Sequence, residues 1–319
     1  MIHFLEEIME TVLVTGGAGY IGSVLVADLL ANGYKVIVVD NFRYKQTSLN
    51  AFCYHKNFEI SKGDICLKSV MLPVLKKADY ILPLAALVGA PLCAQDPITA
   101  TAVNKKAVLM MLKYISQRQG IVMPTTNSAY GSGDENNCCD EQSPLNPISQ
   151  YAIEKVEVEK ALLAHPNAIS YRLATVFGLS PRMRLDLLVN DFTYRAVHDG
   201  FLVLFEGHFK RNYIHVRDVS KAFLHAIAHF DSMKGEVFNV GLSDANLSKR
   251  ELCAKIKAHL PDFHYLEAGC GRDLDQRNYV VSNQKIEKTG YRPQYSIDDG
   301  IVELIKGYAM LKNSLYANV

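Results

Sequence analysis

The segment VLVTGGAGYIGS, residues 12–23, decides the fold: a short apolar strand runs straight into glycines at 16, 19 and 22. A Gly-x-x-Gly-x-x-Gly turn suits a strand that must reverse into a helix beside a phosphate group. Gly16 allows the sharp turn, Gly19 lets backbone approach a pyrophosphate, and Gly22 lets the helix pack close to the strand. The intervening Tyr20 and Ile21 open that helix, whose free N–H groups and dipole favour an anion. A second apolar run, VIVVD, ends at Asp40, the distance at which a carboxylate reaches the adenosine ribose hydroxyls of a dinucleotide. Asp40 would repel a 2′-phosphate, and the adjacent Asn41 offers no cation to hold one. This favours NAD over NADP, with Arg43 the one nearby cation that could favour the latter.

Outward from this stretch, the 319 residues suffice for one large α/β domain and a smaller one. Half the chain is apolar and a fifth is charged, with a net charge of +1. That balance supplies no field for nucleic acid or an anionic membrane, so no such partner is expected. The seven cysteines contain no C-x-x-C pair, and adjacent Cys138 and Cys139 lack the spaced partners of a tetrahedral metal site. No metal is expected. The opening MIHFLEEIME carries acids where a signal peptide needs a basic region, which predicts a cytoplasmic protein.

The first half alternates strand and helix signals as a parallel sheet requires. Strands are predicted at 11–15, 35–40, 57–62, 79–83, 120–124 and 168–174, and helices at 20–32, 67–76, 98–119 and 149–164. The polar run 131–148 reads as an irregular loop. Beyond 175 come helices at 184–199, 218–230, 248–259 and 298–310, with a short strand at 202–205. The fold class is therefore α/β: a doubly wound parallel sheet over residues 1–175 and a smaller mixed α/β domain over 176–319. Parts of 211–240 are expected to return to the first domain. Helices 98–119 and 149–164 are apolar on more than one side. Ala107, Leu109, Met110, Leu112 and Ile115 cannot all face one sheet, so either a second subunit or a thick monomer core covers the surplus. A two-fold helix bundle in a homodimer is the favoured reading.

The chemistry centres on Tyr151 and Lys155, four residues apart in QYAIEKV at the start of a helix and hence on one face. An ammonium beside a phenol favours the phenolate. The lysine can also donate to the nicotinamide ribose, while Tyr151 takes the proton of an alcohol whose hydride leaves. A third group should hold the alcohol oxygen. Thr126, in PTTNSAYG after a strand, is the candidate, with Thr125 and Ser128 as rivals.

These pieces together resemble the extended short-chain dehydrogenase/reductases, in particular the NAD-dependent nucleotide-sugar epimerases and dehydratases. The resemblance runs through TGGAGYIGS at 15–23, VVDN at 38–41, GDI at 63–65, LAA at 84–86, the Asn104 helix, TNSAYG at 126–131, YAIEK at 151–155, RNYIHVRDV at 211–219 and FNVG at 238–241. It implies a Rossmann-type domain with Asp64 and Ile65 beside the adenine and Leu84, Ala85 and Ala86 under the cofactor. Asn104 joins the cofactor site, and Thr126, Tyr151 and Lys155 form the triad. It also implies that a nucleoside diphosphate sugar is bound by the second domain, usually in a dimer. The usual histidine before Leu-Ala-Ala is Pro83 here. The dehydratases of this family follow the threonine with acids that eliminate water. This chain has Asn127 and Ser128, neither of which ionises near neutrality, so dehydration is not expected. Asp134 and Glu135 stand past the turn and are not read as substitutes.

A diphosphate needs permanently charged, bidentate donors. Arg211 matches the family's phosphate-binding arginine, Arg277 is preferred over Arg272 for a second, and Arg182 and Arg184 join the substrate set with Asn127, Ser128 and Asn190. Thr175 stands where the family often has asparagine. Arg217 reads as a surface charge, and His215 and Asp218 as structural. Finally, RLATVFGLSPRMRLDLLVNDFTYRA at 172–196 and PLAALVGAPLC at 83–93 resemble bacterial GDP-heptose 4-dehydrogenases. That resemblance implies oxidation of a GDP-manno-heptose at C4. A nucleotide-sugar 4-epimerase would use the same groups, whereas a non-enzymatic NAD sensor would require a broken triad, against which the intact Thr126, Tyr151 and Lys155 argue.

Overall fold

The computed structural model describes residues 9–131, 138–268 and 278–311. Seven parallel strands form the main sheet: β1 (Thr11–Thr15), β2 (Lys35–Asp40), β3 (Phe58–Lys62), β4 (Tyr80–Pro83), β5 (Gly120–Thr126), β6 (Ala168–Leu173) and β7 (Val237–Val240). Their order across the sheet is β7-β6-β5-β4-β1-β2-β3. The direction of winding reverses between β1 and β4, where a crevice must open at the strands' carboxyl ends. Alternation along the strands fills both faces, as a sheet covered on two sides demands. Val12, Val14, Val36 and Val38 face helices Tyr20–Ala31 and Val216–Ala228. Leu13, Ile37, Val39 and Ile121 pack with Met71, Met111, Val158 and Leu162 on the other side.

After β6 the chain leaves the main sheet. Strand Thr175–Phe177 pairs in parallel with Lys210–His215, which pairs in antiparallel with Asn246–Ser248. The chain comes back with helix Val216–Ala228 and β7, and β7 pairs with β6. Two smaller pairings, Phe201–Leu204 with His264–Glu267 and Cys138–Cys139 with Val280–Val281, complete the described strands. The second of these puts Cys138 and Cys139 in a strand where the sequence reads as loop.

The segment read as one helix over 98–119 is interrupted. Pro97–Thr101 is α-helical, Ala102–Lys106 forms a π turn, and Ala107–Tyr114 resumes the α-helix. The chain turns after Ile115, where the Gln119 side chain donates to the carbonyls of Leu75 and Ala78, both at 2.6 Å. The helix read as 184–199 begins at Leu188. Ile98 and Leu109 of the 98–119 segment and Ile153 of helix Gln150–Leu163 are exposed, whereas Ala107 and Ile115 are buried. His215 and Arg217 both pair with Glu303 (2.7 and 3.0 Å), and Asp218 accepts from the amides of Gln294 and Tyr295. These contacts fasten the C-terminal helix Ile297–Tyr308 to the rest of the chain.

Candidate active site

The switch-point crevice is a cavity of about 1130 Å³ lined by both halves of the chain. Its floor is the glycine turn. Gly16 has φ +69°, and a Cβ there would lie 2.7 Å from the Ala85 backbone. A Cβ on Gly22 would stand 2.4 Å from the Gly16 carbonyl oxygen. Side chains are thus excluded at both positions and bare backbone faces the cavity. Helix Tyr20–Ala31 starts at Gly19 with no side-chain cap, leaving its first amides available to an anion. Gly16, Gly19, Tyr20, Ile21, Gly22, Asp40, Asn41, Asp64, Ile65, Leu84, Ala85 and Ala86 all line this cavity. Asp40 is buried at the end of β2 and accepts from the amides of Ala18 (3.1 Å) and Phe42 (2.8 Å). Burial pushes its pKa up and those two amides pull it back. An uncapped helix start and a carboxylate one strand away form a cradle that fits a dinucleotide.

Tyr151 and Lys155 stand on helix Gln150–Leu163, which Ser149 caps by accepting from Ala152 N. The Lys155 Nζ donates to the Pro124 carbonyl at 3.1 Å and lies 6.0 Å from the Tyr151 ring centroid. Burial pushes the pKa of Lys155 down to about 8, against a smaller opposing pull from Cys93. Its charge therefore persists at neutral pH and is lost as the pH rises through about 8. One turn further along the same face, Glu159 accepts from Thr125 Oγ1 (3.0 Å), Ser170 Oγ (2.7 Å) and Arg172 Nη2 (2.6 Å). This buried pair locks helix Gln150–Leu163 to β5 and β6, since removing one partner of such a pair costs about 3–5 kcal/mol. The two neighbouring hydroxyls have different partners. Thr125 Oγ1 is committed to Glu159 and Ser170, whereas Thr126 Oγ1 donates to Ser128 Oγ (3.0 Å) beside the cavity.

Three asparagines do not line the cavity. Asn104, in the π turn, accepts from Leu87 N and donates to Leu87 O, both at 2.9 Å. It shapes the cofactor wall from behind instead of forming it. Asn190 accepts from Gly178 N (3.0 Å) and donates to Tyr20 Oη (3.2 Å) and the Arg184 carbonyl (2.9 Å), so it is a joint between segments and not a substrate contact. Asn127 is completely buried beside Thr126 and turned away from the cavity. Ser128, Thr175, Arg182, Arg184 and Arg211 do line it. Arg184 is paired with Asp186. Arg272, Arg277, Asp134 and Glu135 lie outside the described residues. Residues the sequence did not single out also reach the cavity, notably Tyr44, Gln46, Phe205 and Lys249. Lys249 is buried, its Nζ donating to the Phe205 carbonyl at 2.8 Å.

Among the described residues no cluster of histidine, cysteine and carboxylate could hold a metal ion, and no helix is long and apolar enough to cross a membrane. The chain is 27% identical to the low-salt glycan biosynthesis protein Agl12 of Haloferax volcanii, over 93% of this chain and 98% of that protein. In structure it resembles a UDP-glucose 4-epimerase of Thermotoga maritima solved with UDP-glucose (TM-score 0.82, 25% identity, 95% and 100% of the two chains). It equally resembles DesIV, a dTDP-glucose 4,6-dehydratase of Streptomyces venezuelae solved with NAD (TM-score 0.81, 26% identity, 95% and 98%). The model of the NAD dependent epimerase/dehydratase family matches residues 12–241, which span the glycine turn, Asp40, the Tyr151–Lys155 helix and the return into β7: the chain belongs to that family of NAD-dependent enzymes.

Proposed function

We propose that the protein oxidises a nucleotide sugar at C4 to the 4-keto sugar. The observation that carries this reading is the grouping of Thr126, Tyr151 and Lys155 on one cavity wall, with no carboxylate in the two positions after Thr126. In this scheme NAD, when bound, supplies the hydride acceptor. The chain supplies everything else. Thr126 and Ser128 hold the C4 oxygen, Tyr151 takes its proton, and the Lys155 ammonium favours the phenolate. Arg211, buried on strand Lys210–His215 and lining the cavity, is the anchor for the diphosphate. GDP-manno-heptose is the proposed substrate, on the likeness of residues 172–196 and 83–93 to heptose dehydrogenases.

The second reading is 4-epimerisation, favoured by the likeness to the UDP-glucose 4-epimerase and by identical demands on the three side chains. Mass spectrometry separates the outcomes after incubation with GDP-, UDP- and dTDP-sugars, with and without a keto acid to reoxidise the cofactor. A two-dalton loss that borodeuteride traps at C4 is the expected result. An isobaric epimer would replace oxidation by epimerisation, and an eighteen-dalton loss would show that Asn127 and Ser128 do not preclude dehydration.

We further infer a homodimer through helices 98–119 and 149–164, a reading supported by the exposed apolar side chains of Ile98, Leu109 and Ile153. Light scattering at micromolar concentration is expected to give twice the chain mass, and Leu109→Glu to shift the protein toward monomer. A wild-type monomer would remove the bundle from the proposal.

A further inference from the structure

One part of the cavity wall is explained neither by the triad nor by a diphosphate-sugar anchor. Directly after Asp40 the loop bends through two non-glycine residues in the left-handed region, Phe42 and Lys45, both at φ +53°. L-residues other than glycine rarely adopt this conformation, and it persists where surrounding structure holds it for a purpose. The bend is fixed locally. Lys45 N donates to the Phe42 carbonyl at 2.9 Å, and Gln46 accepts from Tyr44 N at 3.2 Å. Its result is to lift Tyr44 over the cavity beside Asp40.

Above the Tyr44 ring, 4.7 Å from its centroid, sits the guanidinium of Arg182. Arg182 belongs to the segment that follows strand Thr175–Phe177, in the other half of the chain, and is itself buried. That segment is fastened to the start of helix Tyr20–Ala31 at several points. Tyr20 Oη donates to the Gly178 carbonyl (2.7 Å), Ser180 Oγ donates to the Tyr20 carbonyl (2.7 Å), and Ser180 Oγ lies 3.0 Å from Ser23 Oγ. Arg182 N donates in turn to Ser180 Oγ at 3.3 Å. The arginine thereby spans the gap between the uncapped helix start, which suits a diphosphate, and the Asp40 loop, which suits a ribose.

We propose that Tyr44 and Arg182 form a clasp across the adenosine-diphosphate half of the NAD site, and that Arg182 serves the cofactor rather than the sugar substrate. A planar, permanently charged group fits this place. It stacks on the tyrosine with one face, its Nη1 donates to the Met183 carbonyl, and its charge stands on the cavity wall where it favours an anion. Because one jaw rides on the 41–46 loop and the other on the 178–184 segment, cofactor can leave only when the two part. The inference does not depend on which sugar is oxidised or on whether the keto sugar is released.

The test is the rate at which enzyme-bound NADH escapes, followed by stopped-flow fluorescence during a chase with excess NAD. Arg182→Met is expected to speed release by about tenfold or more and Tyr44→Ala by about threefold, since a charged hydrogen bond to phosphate and a cation–π contact on a partly exposed ring are worth roughly those factors. The double variant should release no faster than Arg182→Met alone by more than about twofold, because Tyr44 acts by holding the guanidinium. Tyr44→Phe, which keeps the ring, should release at the wild-type rate. Binding of free GDP and UDP to the same variants supplies the opposing arm. If Arg182→Met weakens nucleoside diphosphate binding and leaves NADH release unchanged, Arg182 is a substrate residue and the clasp is wrong. Unchanged release in Tyr44→Ala overturns it as well, and that variant, whose side chain is partly exposed, guards against misfolding of Arg182→Met.

Discussion

Tyr151→Phe is expected to reduce hydride transfer at least ~10³-fold, the range lost with a positioned general base, while NAD affinity changes less than about twofold. The reasoning is geometric. Tyr151 stands one helical turn before Lys155 on helix Gln150–Leu163, whose Ser149 cap and Glu159 network fix its position against β5 and β6. Removing one hydroxyl leaves the ring, the cap and the buried network in place, so cavity shape and the cofactor cradle at Gly16, Gly19 and Gly22 are untouched. What goes is the group proposed to accept the alcohol proton. Single-turnover reduction of bound NAD measures the chemical step, and titration of intrinsic fluorescence measures affinity. Near-normal reduction in Tyr151→Phe would mean that another group takes the proton, and Ser128, which shares a hydrogen bond with Thr126 at 3.0 Å, would be the first to examine.

The parts of this site legible in the sequence are those encoded by short spacing. Three glycines three apart, an acid at the end of the next apolar run, and Tyr-x-x-x-Lys at a helix start each pair a local geometry with a local chemistry. They are also the residues that the fold brings to one cavity. Illegible were residues whose partners are remote or are backbone. Asn190 looks like a polar substrate contact until its bonds to Tyr20 and Gly178, residues on two other segments, are seen. Asn104 sits in a π turn, which no periodicity announces, and serves Leu87 from behind the wall. Lys249 and Tyr44 carry no signal in the sequence, because burial of one and stacking of the other depend on segments far away in the chain. The same holds for Thr125 and Thr126. Thr125 donates to the Glu159 carboxylate, which arrives from another element, and Thr126 to its neighbour Ser128.

Lys155→Met is expected to make the cofactor-free protein more stable and the enzyme nearly inactive. Lys155 is 4% exposed, and burial pulls its pKa from 10.5 to about 8. At neutral pH the folded chain must therefore hold a desolvated ammonium, at a cost of roughly 3 kcal/mol from 1.36 kcal/mol per pKa unit. Methionine has similar length and no charge. It forfeits the 3.1 Å bond to the Pro124 carbonyl, a loss of about 1 kcal/mol, so the net gain is on the order of 2 kcal/mol. For a chain of this size that corresponds to a rise in Tm of about 3 °C. The sign with pH follows from proton counting. Below about pH 8 the lysine is protonated in both folded and unfolded states and the full penalty stands. Between about 8 and 10.5 the unfolded chain holds a proton that the folded chain has released, so wild-type stability rises with pH relative to the variant. The advantage of Lys155→Met should be full at pH 7 and small by pH 10. Hydride transfer should fall ~10²-fold or more over the same comparison, because nothing then favours the Tyr151 phenolate. Thermal denaturation of the cofactor-free proteins at the two pH values, alongside single-turnover rates, tests both halves. A variant less stable than wild type at pH 7, or an advantage that grows toward pH 10, would show that Lys155 is held in the fold by attraction and not placed there for the reaction against its own desolvation.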